Sequence, residues 1–173
     1  MRTWSEYKQT FPKKPSLFDC ARSGDLLSLA ELIQENPELD LEARNPSGFS
    51  ALMLAAYKDQ KDFAEALLRA GVDVESRDSV GNTVLMASSF KGNLPIIDLL
   101  LSYGADPSAT NASGMNAKDW ASMFGRNHVL NLFESRGLYT NQSTSKVTTL
   151  FRFIKLCLSL IMAKFKQRPP GIS

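Results

Sequence analysis

Apolar residues recur in paired stretches at helical spacing along most of the chain. Between residues 82 and 114, Leu85, Met86 and Ala87 open a short helix, and Gly92-Asn93 breaks it. Leu94, Ile96, Ile97, Leu99, Leu100 and Leu101 then give a second helix one apolar face. Thr83 precedes the first stretch, where a side-chain oxygen can accept from the free N–H groups of a first helical turn. Gly104 follows the second, where the chain needs a left-handed residue to leave the helix. Asp106-Pro107 and Asn111-Ala-Ser-Gly114 are turn chemistry.

The pattern repeats. Gly48, Gly81 and Gly114 lie 33 residues apart, as do Gly71, Gly104 and Gly137. The phrases after the first column are alike: Gly48-Phe-Ser-Ala-Leu-Met-Leu-Ala-Ala, Gly81-Asn-Thr-Val-Leu-Met-Ala-Ser-Ser and Gly114-Met-Asn-Ala-Lys-Asp-Trp-Ala-Ser. Such a period sets the architecture, because each unit must bury its apolar face on its neighbours. An opening unit aligns Ala21-Arg-Ser-Gly24-Asp-Leu-Leu with Ala56-Tyr-Lys-Asp59-Gln-Lys-Asp. It is two residues longer, at Asn36-Pro-Glu-Leu-Asp40. Asn36 stands in the second glycine column, and Asn is the next most tolerant residue for left-handed backbone. The division expected is an extension over 1–14, units at 15–48, 49–81, 82–114 and 115–138, a polar linker over 139–146, a basic amphipathic helix over 147–168 and a tail over 169–173.

These residues resemble the ankyrin repeat, whose first helix carries Thr-Pro-Leu-His-x-Ala. The match is good at Asn82-Thr-Val-Leu-Met-Ala and at Gly92-Asn-Leu-Pro-Ile-Ile-Asp-Leu-Leu-Leu-Ser-Tyr-Gly-Ala-Asp106, fair at 50–71 and weaker at 116–137. The resemblance implies an all-α solenoid of about four helix-turn-helix units with hairpin-like loops, followed here by a C-terminal amphipathic helix. The family's usual His is replaced by Met53, Met86 and Asp119, with Phe18 in the first unit. A stack held more by packing and less by a polar ladder is therefore expected. The Leu-Met-Leu-Ala form looks like bacterial members of the family.

The resemblance also implies a partner-binding surface made of hairpin tips and the exposed side of the inner helices. The period then places Tyr57, Phe90 and Met123 in one column, Lys58, Lys91 and Phe124 in the next, and Met53, Met86 and Asp119 in a third. Hairpin tips include Arg44, Phe49, Arg77, Val80, Asn82, Thr110 and Met115. Aromatic residues on an exposed inner face are what interface hot spots use, and methionine adds adaptable apolar surface. Inner-helix residues also pack against neighbouring units, so Met53 and Met86 are expected to be half core.

Charge divides the chain. Residues 1–134 carry 13 Lys/Arg against all 18 Asp/Glu, a net of −5, whereas residues 135–173 carry seven Lys/Arg and no acid, a net of +7. Such asymmetry marks an interacting tail. In Val147–Lys166, helical spacing puts Arg152, Lys155, Ser159 and Lys166 on one stripe. Leu150, Phe153, Ile154, Cys157, Leu158, Leu160, Ile161 and Phe165 lie opposite, and Lys164 breaks the pattern. Leu150–Phe165 would extend about 24 Å as a helix, short of a hydrocarbon core of roughly 30 Å. Three roles fit this helix: a cap on the fourth unit, a helix in an anionic membrane surface, or an insert in a partner's groove.

Little points to catalysis. The lone His128 aligns with Pro95 at the start of an outer helix, as a surface or capping residue. No His/Cys cluster has metal-ligand spacing, and the glycines are accounted for by the repeat. Asp59, Asp62 and Glu65 read as the solvated side of an outer helix. Basic residues interleaved with Leu and Ile do not make a nucleic-acid surface. Cys20 and Cys157 form no disulfide framework, and the N-terminus lacks the apolar core of a signal peptide, so a cytoplasmic setting is expected. Two readings result, both without enzyme activity, cofactor, metal or small-molecule substrate. One is an adaptor that binds a partner protein through its concave face. The other is an adaptor recruited to anionic bilayers as a peripheral membrane protein.

Overall fold

The computed structural model describes residues 14–139, 150–155 and 157–158. Four helix pairs follow one another: α1 (Leu17–Ser23) with α2 (Leu26–Glu35), α3 (Ala51–Tyr57) with α4 (Lys61–Arg69), α5 (Val84–Lys91) with α6 (Leu94–Ser102), and α7 (Ala117–Met123) with α8 (Asn127–Ser135). Residues 150–155 and 157–158 are also helical. Inner helices α1, α3, α5 and α7 stack in sequence, and outer helices α4, α6 and α8 stack behind them. The all-α solenoid is thereby the observed fold, and the only strand-like features among the described residues are the bridges Arg44 to Ser50 and Arg77 to Thr83.

Each inner helix starts on a side-chain cap. Ser16, Ser50, Thr83 and Asn116 accept from the backbone N–H of Asp19, Met53, Met86 and Asp119, respectively. This geometry identifies the position usually held by His as the third residue after the cap. In the first unit that residue is Asp19, not the expected Phe18, because α1 begins one residue closer to its terminal Gly24. Between inner and outer helices the chain needs a left-handed residue. Gly92 supplies it at φ +82°, and Asp59 does so in the second unit at φ +64°. A methyl at Gly92 would also lie 2.8 Å from His128 Nε2. Asn36, by contrast, sits at φ −135°. The two extra residues there let the chain turn without a left-handed step.

A continuous core runs through all four units, with Leu52, Phe63, Leu67, Leu85, Ile96, Ile97, Leu100 and Phe133 fully buried. Cys20 is part of it, and burial pushes its thiol pKa up, which keeps it an unreactive core residue. The expectation of a weak polar ladder needs correction. Arg77 Nη1 donates to the Thr110 carbonyl at 2.9 Å, and Arg44 makes the matching bond to the Arg77 carbonyl one unit earlier. Glu42 and Glu75 accept from the backbone N–H of Asp73 and Asp106 at 2.6 and 2.7 Å. Arg126 Nε donates to the Phe90 carbonyl at 2.8 Å, and His128 Nε2 lies 2.9 Å from the Gly92 carbonyl. The hydrogen bonds between units thus lie in the loops and at the start of the last outer helix. Tyr139, expected in the linker, instead packs on Phe133 with ring centroids 5.4 Å apart and donates to the Pro107 carbonyl. Burial pushes its phenol pKa up.

Candidate functional site: the concave inner-helix face

Helical period places residue i of one inner helix beside residue i+33 of the next, so side chains of one column meet across units. Tyr57 at the end of α3 stacks on Phe90 of α5, with centroids 6.3 Å apart and planes at 8°. Phe90 meets Phe124 edge-on at 4.5 Å and Trp120 at 6.0 Å. Trp120 and Phe124 stack at 5.8 Å. Offset-stacked and edge-to-face pairs at these separations contribute about 0.5–1.5 kcal/mol each beyond area burial. Lys91 Nζ lies over the Tyr57 ring, 4.8 Å from its centroid. The row is thus continuous from the second unit to the fourth, and Tyr57 remains 42% exposed.

Beside this row lies an open groove of about 280 Å³. Phe49, Tyr57, Phe90 and Trp120 form its apolar walls, Met53, Met86 and Ala87 its floor, and Asp78 and Asn82 its polar rim. The rim is preorganised. Asp78 Oδ1 accepts from the backbone N–H of Val80 and Asn82 at 3.0 and 2.8 Å, and its Oδ2 accepts from Asn82 Nδ2 at 2.8 Å. Asn82 Oδ1 in turn accepts from Asn111 Nδ2 at 2.7 Å.

The expected site residues separate into three groups. Tyr57, Phe90, Met53, Met86 and Asn82 line the groove together. Lys58 and Lys91 are exposed, Lys91 over the Tyr57 ring, and Met123 and Phe124 are half-buried on the fourth unit. Of the expected tip residues Phe49 and Asn82 line it, and the others do not. Met115, expected at a tip, is fully buried, although its backbone N–H and carbonyl bond Asn111 as those of Phe49 bond Asn45. Arg77 is exposed but engaged between units. Thr110 and Val80 offer carbonyls to Arg77 and to the Ala112 N–H. Met53 and Met86 are more deeply buried than half core, at 3% and 1% exposure, so they present only an edge to the groove.

Trp120 lines the groove and was not among the expected site residues. It stands in phase with Ala87, where other inner helices carry smaller residues, and that substitution of large for small was the available signal. Its indole N–H is buried and meets no acceptor among the described residues. A buried donor left without an acceptor costs about 1–3 kcal/mol.

The C-terminal helix comes to the same face. Phe153 packs edge-on against Trp120 at 6.1 Å and Phe124 at 5.7 Å. Arg152 Nη1 lies 3.6 Å from Oδ2 of Asp119, a carboxylate only 2% exposed. Arg152 and Phe153, expected on opposite faces of this helix, instead face the stack together. Leu150, Phe151, Ile154 and Leu158 face outward at 49%, 69%, 45% and 57% exposure, and Lys155 is exposed beside them. Ile161, Lys164, Phe165 and Lys166 lie outside the described residues, as do 140–149 of the linker and helix start.

Among the described residues no three His, Cys, Asp or Glu side chains form a group able to hold a metal ion. No described helix is long and apolar enough to cross a membrane. Comparison with curated proteins gives no match. Comparison with protein families does: residues 17–111 match the ankyrin repeats, in three copies. That span exceeds half of the 173 residues and agrees with the stacked helix pairs and αL-turned loops, so the chain belongs to the ankyrin-repeat family, whose repeats are generally protein–protein interaction modules.

Proposed function

We propose that this protein is a non-enzymatic adaptor that captures a segment of a partner protein on its concave face, in the groove between the second and fourth units. The observation that carries this reading is the open apolar groove walled by Tyr57, Phe90 and Trp120. Its walls are aromatic, partly exposed and fixed by one another, so a ligand side chain would meet rigid surface with little ordering cost. Met53 and Met86 give the floor an adaptable apolar lining. A cytoplasmic setting goes with this reading, since Cys20 and Cys157 are free thiols.

The test is capture of partners from the host proteome by the full chain and by a Tyr57→Ala, Phe90→Ala variant. Hot-spot truncations of this kind weaken binding by about tenfold or more each. Undiminished capture by a folded double variant would remove the groove as the site.

A second reading has its own observation. Leu150, Phe151, Ile154 and Leu158 form one exposed apolar stripe, and residues 135–173 carry only basic charge. That combination suits an anionic bilayer surface, where each nearby Lys or Arg adds about 1 kcal/mol. Co-sedimentation with anionic vesicles, lost in a Phe151→Glu, Leu158→Glu variant and at high salt, supports recruitment. Equal sedimentation of both chains rules it out.

A further inference from the structure

The C-terminal helix marks a second docking position on the fourth unit and shows what chemistry it takes. Three features meet there. The buried Asp119 carboxylate faces the Arg152 guanidinium at 3.6 Å. Trp120 and Phe124, stacked on each other, hold the Phe153 ring edge-on. The same two rings continue through Phe90 to Tyr57. Asp119 stands where the second and third units carry the apolar Met53 and Met86 and the first carries Asp19, and in the fourth unit the acid lies on the helix that presents Trp120. Asp119 Oδ2 accepts from the Asn116 backbone N–H at 3.1 Å and so completes the cap of its own helix. A carboxylate buried to this depth loses hydration, and the Arg152 guanidinium brings it a cation from another helix.

We infer that the fourth unit is a receptor for an amphipathic helix carrying an adjacent arginine and phenylalanine, and that the protein's own C-terminal helix occupies it until a partner helix of the same chemistry displaces it. This inference rests on the concave-face reading and names its partner class. Arginine supplies the charge for Asp119, and the aromatic ring closes the stack of Trp120 and Phe124. The net charge of −5 over residues 1–134 favours approach of a basic helix. Self-occupancy lowers the apparent affinity for the partner by the fraction of molecules whose site is open. Release of the helix would extend the open aromatic row from the second unit to the fourth in one surface.

The test uses a fluorescent synthetic peptide of residues 147–168, titrated into the full chain and followed by anisotropy. The expected result is weak binding to the natural chain and binding tighter by about tenfold or more in an Arg152→Glu, Phe153→Ala variant, whose own helix no longer competes. Both altered residues lie outside the core, and circular dichroism checks that the helices persist. Adding Asp119→Asn and Trp120→Ala to that variant should remove the gain. A control peptide with Glu and Ala in place of its Arg-Phe pair should not bind. Equal affinity of the natural and Arg152→Glu, Phe153→Ala chains, or a gain that survives loss of Asp119 and Trp120, overturns the inference. The concave-face reading fails separately: Tyr57→Ala, Phe90→Ala would then capture partners normally, whatever the peptide does.

Discussion

The loop edge and the concave face are built from the same period to opposite ends. Along the edge the units are nearly copies. Asn45, Asp78 and Asn111 each accept two backbone N–H groups of their own turn, Arg44 and Arg77 each reach the next loop's carbonyl, and Glu42 and Glu75 each hold the next loop's N–H. On the concave face the units differ: Tyr57, Phe90 and Met123 in one column, and Met53, Met86 and Asp119 in another. A residue that repeats is accounted for by stacking, which every unit must do. A residue that changes from unit to unit at a partly exposed inner position, as in the column of Tyr57, Phe90 and Met123, is not fixed by stacking alone.

That contrast can be broken from either side. The largest expected effect is on the edge. Asn111→Ala removes the acceptor for the buried N–H groups of Ser113 and Met115 and should cost about 2–4 kcal/mol of unfolding free energy, read from denaturant midpoints. Partner capture per folded molecule should fall less than in the Tyr57→Ala, Phe90→Ala variant, since Asn111 reaches the groove only through Asn82. On the concave face the reverse should hold. Tyr57→Ala with Phe90→Ala should lose capture equivalent to about 2–3 kcal/mol of binding while costing less stability than Asn111→Ala, because neither ring belongs to the fully buried core. Arg77→Ala comes next, at about 1 kcal/mol of stability, since its bonds to the Gly81 and Thr110 carbonyls are exposed. If Arg77→Ala abolishes capture without loss of stability, the edge takes part in binding and the contrast fails.

The smallest effect is with acid. Hydrogen bonds from the Ser108 side chain and backbone hold the Asp106 carboxyl below its ordinary 3.8, and those from Ser28 do the same for Asp25. Their contribution to stability is complete above the unfolded value and is lost as pH falls through the lowered one. Melting temperature should therefore drop slightly below about pH 4. Asp106→Asn should flatten that drop, and an unchanged slope would assign the acid sensitivity elsewhere.

Much of the edge was legible as chemistry before it was seen as structure. Thr83 marked a cap, Asn111-Ala-Ser-Gly114 a turn, and Gly92 the break between helices, because each answers a local backbone need. Asn36 shows where local reasoning stops. It had the right residue type for a left-handed step, yet two added residues gave the chain another route. Met115 shows the same limit: its place in the period said loop tip, and the fold buries it. Arg152 fell on a basic stripe opposite Phe153, and its partner Asp119 lies 33 residues away in sequence on another helix.

The sequence by itself determined the repeat, the four helix pairs, the Thr83 cap and the shared column of Tyr57 and Phe90, since these follow from short-range spacing and backbone demand. Only the tertiary structure decided that Trp120 packs against that column, that hydrogen bonds between units run through the loops, and that Arg152 and Phe153 turn towards the fourth unit. Each of those depends on which side chains meet across units, and that is set by packing between segments far apart in the chain.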